Sequence, residues 1–414
     1  MVYRKYVFFF VVILSMNYEA NAKMISLEEA EKIVLEHNPD IGASEFRKEA
    51  ANERVPQAEA LDDPMIGVEF YNTPIDSIDV TNADDIDLKI RQNIPFPGKL
   101  RTRGDVARFD ARLISQKEQT RIQDIVYDLR MTYYTLWTLD HLIEVNKNIQ
   151  KNVDALVASL KISYATKKSS LDAFLKAEID LSKLKNEAIV LSAERETHLA
   201  HLKALLGTAN HESIELRDSL SKVNVRWTVD ELQKIAMNER PELNVLAAQI
   251  ERDNANVTSV TKNLIPDFSF GFAYKEKPLG KNVWVFEAMI NVPIFFWSKN
   301  KAEIREAKLE KMASEKEEAA LRLHTYHEVE EAYNAVKAAN EIIASYEKDI
   351  LPRAQTSRAI AQKAYEARTG NLTTFLEAER IYFELEIPYY ETQGKLGKSK
   401  ARLERIIGIR LEDL

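Results

Sequence analysis

Four short segments of this chain alternate apolar and polar residues with a period of two, the pattern of β-strands that have one apolar face. They span about residues 64–72, 85–94, 266–275 and 282–292. The third segment alternates Phe268, Phe270, Phe272 and Tyr274 with small or polar residues, so its apolar face is rich in aromatic rings. We expect these apolar faces to lie either against a protein core or against lipid, as the aromatic-rich bands of membrane barrels do.

The rest of the chain is patterned as long helices. No Gly occurs between Gly104 and Gly207, and no Pro occurs between Pro97 and Pro241. These two residue types cost a helix interior about 1 and 3 kcal/mol. Their absence predicts an unbroken helix from about residue 99 to residue 164, roughly 66 residues or ~100 Å long. A helix of this length is expected to pack against neighbouring helices.

Two prolines should disturb the helices of the second half. Pro352 should kink its helix, because proline lacks the amide donor and its ring clashes with the carbonyl four residues earlier. Lys151 occupies the matching place in the first half, where no kink is expected. Pro388 should bend the last long helix in the same way. Pro352 is therefore a candidate hinge.

The chain is a tandem duplication. Matching residues recur in the same order 201 residues apart: Tyr164 and Tyr365, Leu171 and Leu372, Gly207 and Gly408. Each copy is predicted to contain a helix, two strands and a helical hairpin (about 98–207 and 298–407). We assign residues 1–22 to a signal peptide, 23–210 to the first repeat, 211–227 to a linker or equatorial segment, 228–408 to the second repeat and 409–414 to a tail.

The N-terminus predicts export. Arg4 and Lys5 precede an apolar run over residues 7–14, and Ala20 and Ala22 supply the small residues of a signal-peptidase site. We expect cleavage after Ala22, because the apolar run is shorter than the roughly 20 residues that span a bilayer. The chain contains no Cys. This excludes disulfides and a lipid-modified N-terminal Cys, so no lipoprotein is expected.

Little in the sequence points to a reaction or a cofactor. The net charge is −8 without basic blocks, which argues against nucleic-acid binding. His198 and His201, like His324 and His327, are three residues apart on a helix and are weak candidates for a metal pair that lacks a third ligand. We find no nucleophile motif, no Gly-rich phosphate loop and no HExxH motif. We therefore predict neither an enzyme, nor a cofactor, nor a bound metal.

Strands and helices together favour a membrane tube. Only long helix remains to cover the apolar strand faces, and lipid requires a closed barrel because an open sheet edge leaves backbone groups unpaired. Four strands cannot enclose a useful bore, whereas three chains supply twelve. We predict a mainly α homotrimer with a small β part, in which a twelve-stranded transmembrane β-barrel continues into a periplasmic α-helical barrel. Loops at about 72–85 and 276–282 would face outward, and hairpin tips near 167–170 and 369–371 would face the periplasm.

The chain resembles the TolC-like outer membrane efflux protein family over essentially the whole mature sequence. Two motifs carry this resemblance. Residues 92–101 (QNIPFPGKLR) resemble the strand–helix junction of its cobalt-zinc-cadmium and copper-silver branch, with a counterpart at 291–295. Residues 365–378 (YEARTGNLTTFLEA) resemble its tip motif. At the junctions, Pro95, Pro97 and Pro293 should end strand pairing, and Gly98 should let the chain turn into a helix.

The resemblance implies that the hairpin tips gate the tube and contact an adaptor protein. The residues at these positions are Tyr164, Asp172, Tyr365, Arg368, Gly370, Asn371, Thr374 and Glu377. Arg368 stands where the family usually has Gly. Of two places that are acidic and pore-facing in TolC itself, Thr374 fills one and Glu377 the other. We therefore expect at most one ring of three carboxylates.

The resemblance implies the exit duct of a tripartite efflux pump of the heavy-metal RND type in a Gram-negative outer membrane. The partners would be two further copies of the chain, a periplasmic adaptor, an inner membrane RND transporter and outer membrane lipid. One alternative is the outer membrane channel of a type I protein secretion system, which would co-purify with an ABC-type exporter. Another is a secreted coiled-coil structural protein without a pore, which would not conduct ions across a bilayer.

Overall fold

A computed structural model of the chain describes residues 23–71, 85–167, 169–208, 214–217, 226–277 and 280–414. The predicted signal peptide lies outside these residues. So do nearly all of the first interstrand loop, part of the second, and most of the predicted linker.

Helices dominate the described residues. They are α1 (Leu27–His37), α2 (Pro39–Asn52), α3 (Arg54–Glu59), α4 (Lys99–Ala165), α5 (Leu171–Leu205), α6 (Val229–Glu239), α7 (Pro241–Lys262), α8 (Lys301–Ser345), α9 (Leu351–Glu366) and α10 (Leu372–Ile407). Each repeat opens with more than the one predicted helix, because Pro39 and Pro241 occupy the first turn of a new helix. No helix in this part of the chain combines the length and apolar character needed to cross a bilayer.

The strands form two sheets. They are β1 (Lys23–Ile25), β2 (Met65–Tyr71), β3 (Asp85–Ile94), β4 (Ile214–Leu216), β5 (Asp267–Glu276) and β6 (Val283–Asn291). The four predicted segments make an antiparallel sheet in the order β2-β3-β5-β6, while β1 and β4 pair in parallel. The small parallel sheet was not predicted, because strands of three residues are too short to show a period.

The helical body is organised around α4. This helix is 67 residues long and packs against α5, α7 and α10. Its residues Leu129, Tyr133 and Leu136 are almost fully buried. The duplication is also visible at the helix starts, since Ser26 and Thr228 each form a capping box with the Glu three residues later.

The four-stranded sheet has one apolar and one polar face. The register aligns Ile66, Ile90, Phe272 and Phe286 in one row on the apolar face. Phe286 is 79% exposed and Ile66 73%, and no helix of the described chain packs across the sheet. Among the described residues, nothing therefore covers the apolar face, and no strand pairs with the outer edges of β2 and β6.

Candidate functional site

The two hairpin tips have the same construction. In the first, α4 ends at Ala165 and Ser170 caps α5 by accepting a hydrogen bond from the Ala173 amide at 3.2 Å. In the second, α9 ends at Glu366 and Asn371 caps α10 by accepting from the Thr374 amide at 2.7 Å. Because both caps satisfy the same free amide of a helix start, the tips are equivalent turns 201 residues apart. Lys168 of the first tip lies outside the described residues.

Arg368 takes the backbone conformation that glycine would favour. Its φ is +60°, and its first-half equivalent Lys167 has φ +59°. A left-handed conformation costs a residue with a side chain roughly 1–2 kcal/mol, and glycine avoids this cost. Lys167 and Arg368 thus place a basic side chain at the apex of each hairpin.

The second tip is the more tightly organised. The Thr369 and Gly370 amides both donate to the Ala364 carbonyl at 2.9 Å. The ring of Tyr365 stacks on that of Phe375, with centroids 5.9 Å apart and planes 7° apart. The described contacts of Tyr164 contain no such ring pair. No hydrogen bond or ion pair among the described residues joins one tip to the other.

The tip carboxylates are paired with nearby cations. Glu377 Oε1 accepts from Arg380 Nη2 at 2.8 Å and its side chain is 48% exposed, while Asp172 lies 2.8 Å from Lys176. The hydrogen bond that Arg380 donates to Glu377 raises the pKa of Arg380, and the hydrogen bond to Asp172 likewise raises the pKa of Lys176. The predicted ring of Glu377 carboxylates would therefore carry a guanidinium beside each acid.

Pro352 lies directly after a helical defect. A π-helical turn (Tyr346–Ile350) separates α8 from α9, and Pro352 sits in the first turn of α9. A π-turn is often found at a functional irregularity in a helix. Here it sits where Pro352 cannot supply the amide that a regular helix needs. The candidate hinge thus coincides with a wider turn, whereas α10 runs through Pro388 as an α-helix.

The first strand–helix junction is held tightly. Gly98 has φ +90° and precedes α4, so it makes the turn that sequence reasoning assigned to it. The buried Lys99 ammonium lies 2.8 Å from Asp267 Oδ1, which also accepts from the Phe96 amide at 2.8 Å. Pairing of β3 ends just before Pro95. The junction is thereby tied to the start of β5.

The second junction is built differently. Pairing of β6 ends two residues before Pro293, and a π-helical turn (Phe296–Asn300) leads into α8. No glycine serves as the pivot here. The side chains that follow Pro293 are exposed, in contrast with the buried Lys99 and Pro95 of the first junction.

The polar face of the sheet carries ion pairs that join different strands. Lys89 lies 2.6 Å from Glu69, Lys275 lies 3.1 Å from Asp85, and Arg91 lies 3.2 Å from Glu287. Arg91 and Glu287 stand on strands that are separated by β5, where the residue between them is Gly271. A Cβ at Gly271 would lie 3.1 Å from Glu287 Oε2, so the glycine leaves room for the pair. This face is suited to line a water-filled space.

The histidine pairs do not gain a third ligand. His201 Nε2 lies 3.0 Å from Asp128 Oδ2, and His324 and His327 are exposed on α8. Over the described ranges, no three His, Cys, Asp or Glu side chains converge as a metal site would require. His198 and His201 stay separate from the other pair.

Sequence reasoning missed a polar network between the hairpins. Glu379 on α10 accepts from Arg358 on α9 at 2.9 Å and from the buried Asn152 on α4 at 3.0 Å. About two helical turns further on, burial raises the pKa of Glu386, which faces Arg358 and Glu144. Only the exact tertiary pairing of three helices brings these groups together, although buried Asn in a long helix is a signal that could have been noted.

Comparison with known proteins is consistent with this architecture. The profile of a family described as outer membrane efflux protein matches residues 32–208 and again residues 232–409. The cobalt-zinc-cadmium resistance protein CzcC of Cupriavidus metallidurans is 24% identical over 234 residues, which are 56% of this chain and 55% of that protein. The match therefore spans about half the length of that relative.

Solved structures show the same fold. A membrane protein from Pseudomonas aeruginosa has a TM-score of 0.76 at 15% identity, covering 93% of this chain and 90% of its own. CusC has a TM-score of 0.74 at 15% identity, covering 96% of both chains. These likenesses confirm the predicted TolC-like fold, mainly α with a small β part. Since the family profile covers most of the chain in two copies, the protein belongs to the outer membrane efflux protein family.

Proposed function

We propose that three copies of this chain form the exit duct of a tripartite heavy-metal efflux pump in the outer membrane. The observation that carries the proposal is the four-stranded sheet, whose apolar face and two edges are left uncovered by the part of the chain that the structure describes. Lipid tolerates such a sheet only when the edges are closed. Pairing β6 of each copy with β2 of the next closes a barrel of twelve strands around the polar face.

The duct is passive and its partners supply energy and choice of substrate. The hairpin tips offer the adaptor a basic apex (Lys167 and Arg368), a stacked Tyr365–Phe375 pair and the exposed Glu377. An inner membrane RND transporter would drive transport through that adaptor. The similarity to CzcC supports a divalent metal as cargo, and the charged face of the sheet is compatible with hydrated ions.

Barrel closure can be tested by cross-linking, because the chain has no Cys of its own. Val68→Cys on β2 would be combined in turn with Phe286→Cys, Ala288→Cys or Ile290→Cys on β6, all on the apolar face. Oxidation of one pairing should give covalent trimers from outer membranes, while each single-Cys variant serves as the control. Trimers that conduct ions in planar bilayers are expected. The proposed duct would be contradicted if every Cys pair gave monomers alone and no conductance were found.

The substrate is tested by deleting the gene and measuring sensitivity to Co²⁺, Zn²⁺, Cd²⁺, Cu²⁺, Ag⁺ and detergents. Sensitivity confined to metals, restored by the wild-type gene, is expected. Loss of a secreted protein instead, with co-purification of an ABC-type exporter, would assign the duct to type I secretion.

A further inference from the structure

The second strand–helix junction exposes a run of large apolar residues. Ile294, Phe295, Phe296 and Trp297, here called the junction patch, are between 48% and 61% exposed. The three rings contact one another, with Trp297 5.1 Å from Phe296 and 6.2 Å from Phe295 between centroids. Three consecutive exposed aromatic residues are costly in water and call for an occupant.

The first junction shows which side of the sheet such residues face. Phe96, the counterpart of Ile294, stacks on Phe268 with centroids 6.4 Å apart. Phe268 belongs to the apolar face, in one row with Ile94 and Ile290. By the same repeat, the junction patch continues the apolar face of β6 beyond its last paired residue, on the periplasmic side of the barrel.

Two lysines follow the patch directly. Lys299 and Lys301 are exposed, and neither enters an ion pair within the described parts of the chain. At the first junction Arg101 and Arg103 hold the matching positions and are also exposed, but the residues before them are covered there, since Lys99 is held by Asp267 and Phe96 stacks on Phe268. Aromatic rings at the edge of a lipid-facing band, with lysines one turn beyond, match the depth profile of a bilayer interface whose headgroups are anionic.

We propose that the junction patch, together with Lys299 and Lys301, binds anionic phospholipid in the periplasmic leaflet of the outer membrane. The rings would lie at the boundary between headgroups and acyl chains, and the two ammonium groups would contact lipid phosphates. The site rests on the proposed barrel, and it would fix the depth at which α8 leaves the membrane. The three second junctions of a trimer would each hold one such site.

The depth of the patch can be measured with tryptophan fluorescence. The full chain with Trp137→Phe and Trp227→Phe would be reconstituted into vesicles that contain lipids brominated near the headgroup. In that background, Trp284→Phe isolates Trp297 and Trp297→Phe isolates Trp284. Trp284 lies on the apolar face and reports insertion of the barrel. We expect shallow bromine to quench Trp297 strongly.

The two tryptophans separate the possible failures. Quenching of Trp284 without quenching of Trp297 would overturn the lipid site and indicate that a neighbouring copy covers the patch. Absence of quenching at both positions would overturn the barrel and the lipid site together.

The preference for charge is measured by native mass spectrometry of trimers from nanodiscs that contain phosphatidylglycerol and phosphatidylcholine. Lys299→Gln with Lys301→Gln should lower retention of phosphatidylglycerol relative to phosphatidylcholine, about fivefold for each lysine. The matched control is Lys316→Gln with Lys363→Gln, which removes the same charge from α8 and α9 more than about 20 Å from the junction. Equal retention in both double variants would refute the role of the junction lysines.

Discussion

The helical hairpins of the two repeats have the same turn at their tips but differ along the helix that leads to the tip. The first ascends as α4, unbroken over 67 residues. The second is divided into α8, a π-helical turn and α9, with Pro352 just beyond the turn. Since both tips use the same turn, the defect is not a requirement of the hairpin. We propose that the first hairpin serves as a rigid support and that the second bends.

The difference extends to the groups that hold the second hairpin to α4. Glu386 stands where the first half has Lys185, and its carboxyl is half-buried near Glu144. Burial likewise raises the pKa of the neighbouring Tyr390 to about 12. The second hairpin thus combines a backbone defect with a carboxyl whose charged form is disfavoured by burial, whereas α4 has no such backbone defect.

The glycines that end the two repeats, Gly207 and Gly408, should be equally intolerant of substitution. In Gly408→Ala the new Cβ would lie 2.2 Å from the carbonyl oxygen of Glu239, and in Gly207→Ala it would lie 2.6 Å from the carbonyl oxygen of His37. The backbone is also left-handed at both positions, with φ +81° at Gly408 and +66° at Gly207. We expect each to lower the free energy of unfolding by about 2–5 kcal/mol, from strain and overpacking together. Denaturation of the purified trimers at fixed protein concentration measures this, with the open Gly42→Ala as control. A tolerant Gly207→Ala beside an intolerant Gly408→Ala would break the equivalence of the ends.

Proline should have opposite effects at the matching positions 151 in α4 and 352 in α9. Lys151→Pro introduces the ring into α4 at an exposed site and should cost about 3 kcal/mol, with Lys151→Ala nearly neutral. Pro352→Ala restores an amide and should change stability by less than about 1 kcal/mol, while slowing hydrogen exchange over Tyr346–Ile350. We also expect it to stiffen the tip and reduce efflux. If hydrogen exchange, conductance and efflux were all unchanged in Pro352→Ala, Pro352 would not act as a hinge.

The half-buried carboxyl of Glu386 should make the stability of the second hairpin depend on pH. Because its folded pKa is raised, the ionised form of Glu386 opposes packing, and the penalty disappears as pH falls through that pKa towards the unfolded value. Glu386→Gln should therefore stabilise the hairpin at pH 8, by less than about 1 kcal/mol since the group is only half-buried, and much less at pH 4. Thermal melts of Glu386→Gln and of the exposed Glu384→Gln test this. An identical gain at both pH values would rule out ionisation as the cause.

The smallest effects are expected at the tips. Arg368→Gly relieves a left-handed backbone, but it also gives the unfolded chain more freedom, so the net gain should stay within about 1 kcal/mol. Lys167→Gly should behave alike in thermal melts. A loss of metal resistance in Arg368→Gly at unchanged stability would assign the guanidinium to adaptor binding, and Arg368→Lys should then restore part of it.

Local patterns in the sequence were enough to predict most of the elements. Alternation placed the four long strands and put Phe272 and Phe286 on one face, and the lack of Gly and Pro predicted α4 to within one residue of its observed end. Motif resemblance pointed to the second hairpin turn and the first strand–helix junction, and the 201-residue repeat pointed to the first hairpin turn. These features depend on neighbours along the chain, so one sequence specifies them.

Only the tertiary structure decided which distant residues meet. The pairing of β1 with β4, the contacts of Glu379 with Asn152 and Arg358, and the insertion of Arg130 between Glu31 and Glu404 at 2.5 and 2.6 Å join segments far apart in sequence. The left-handed backbone of Arg368 and the exposure of Trp297 likewise carry no local signal. Such contacts form because helices pack in one register out of several that local periodicity allows, and that choice is made by the whole fold.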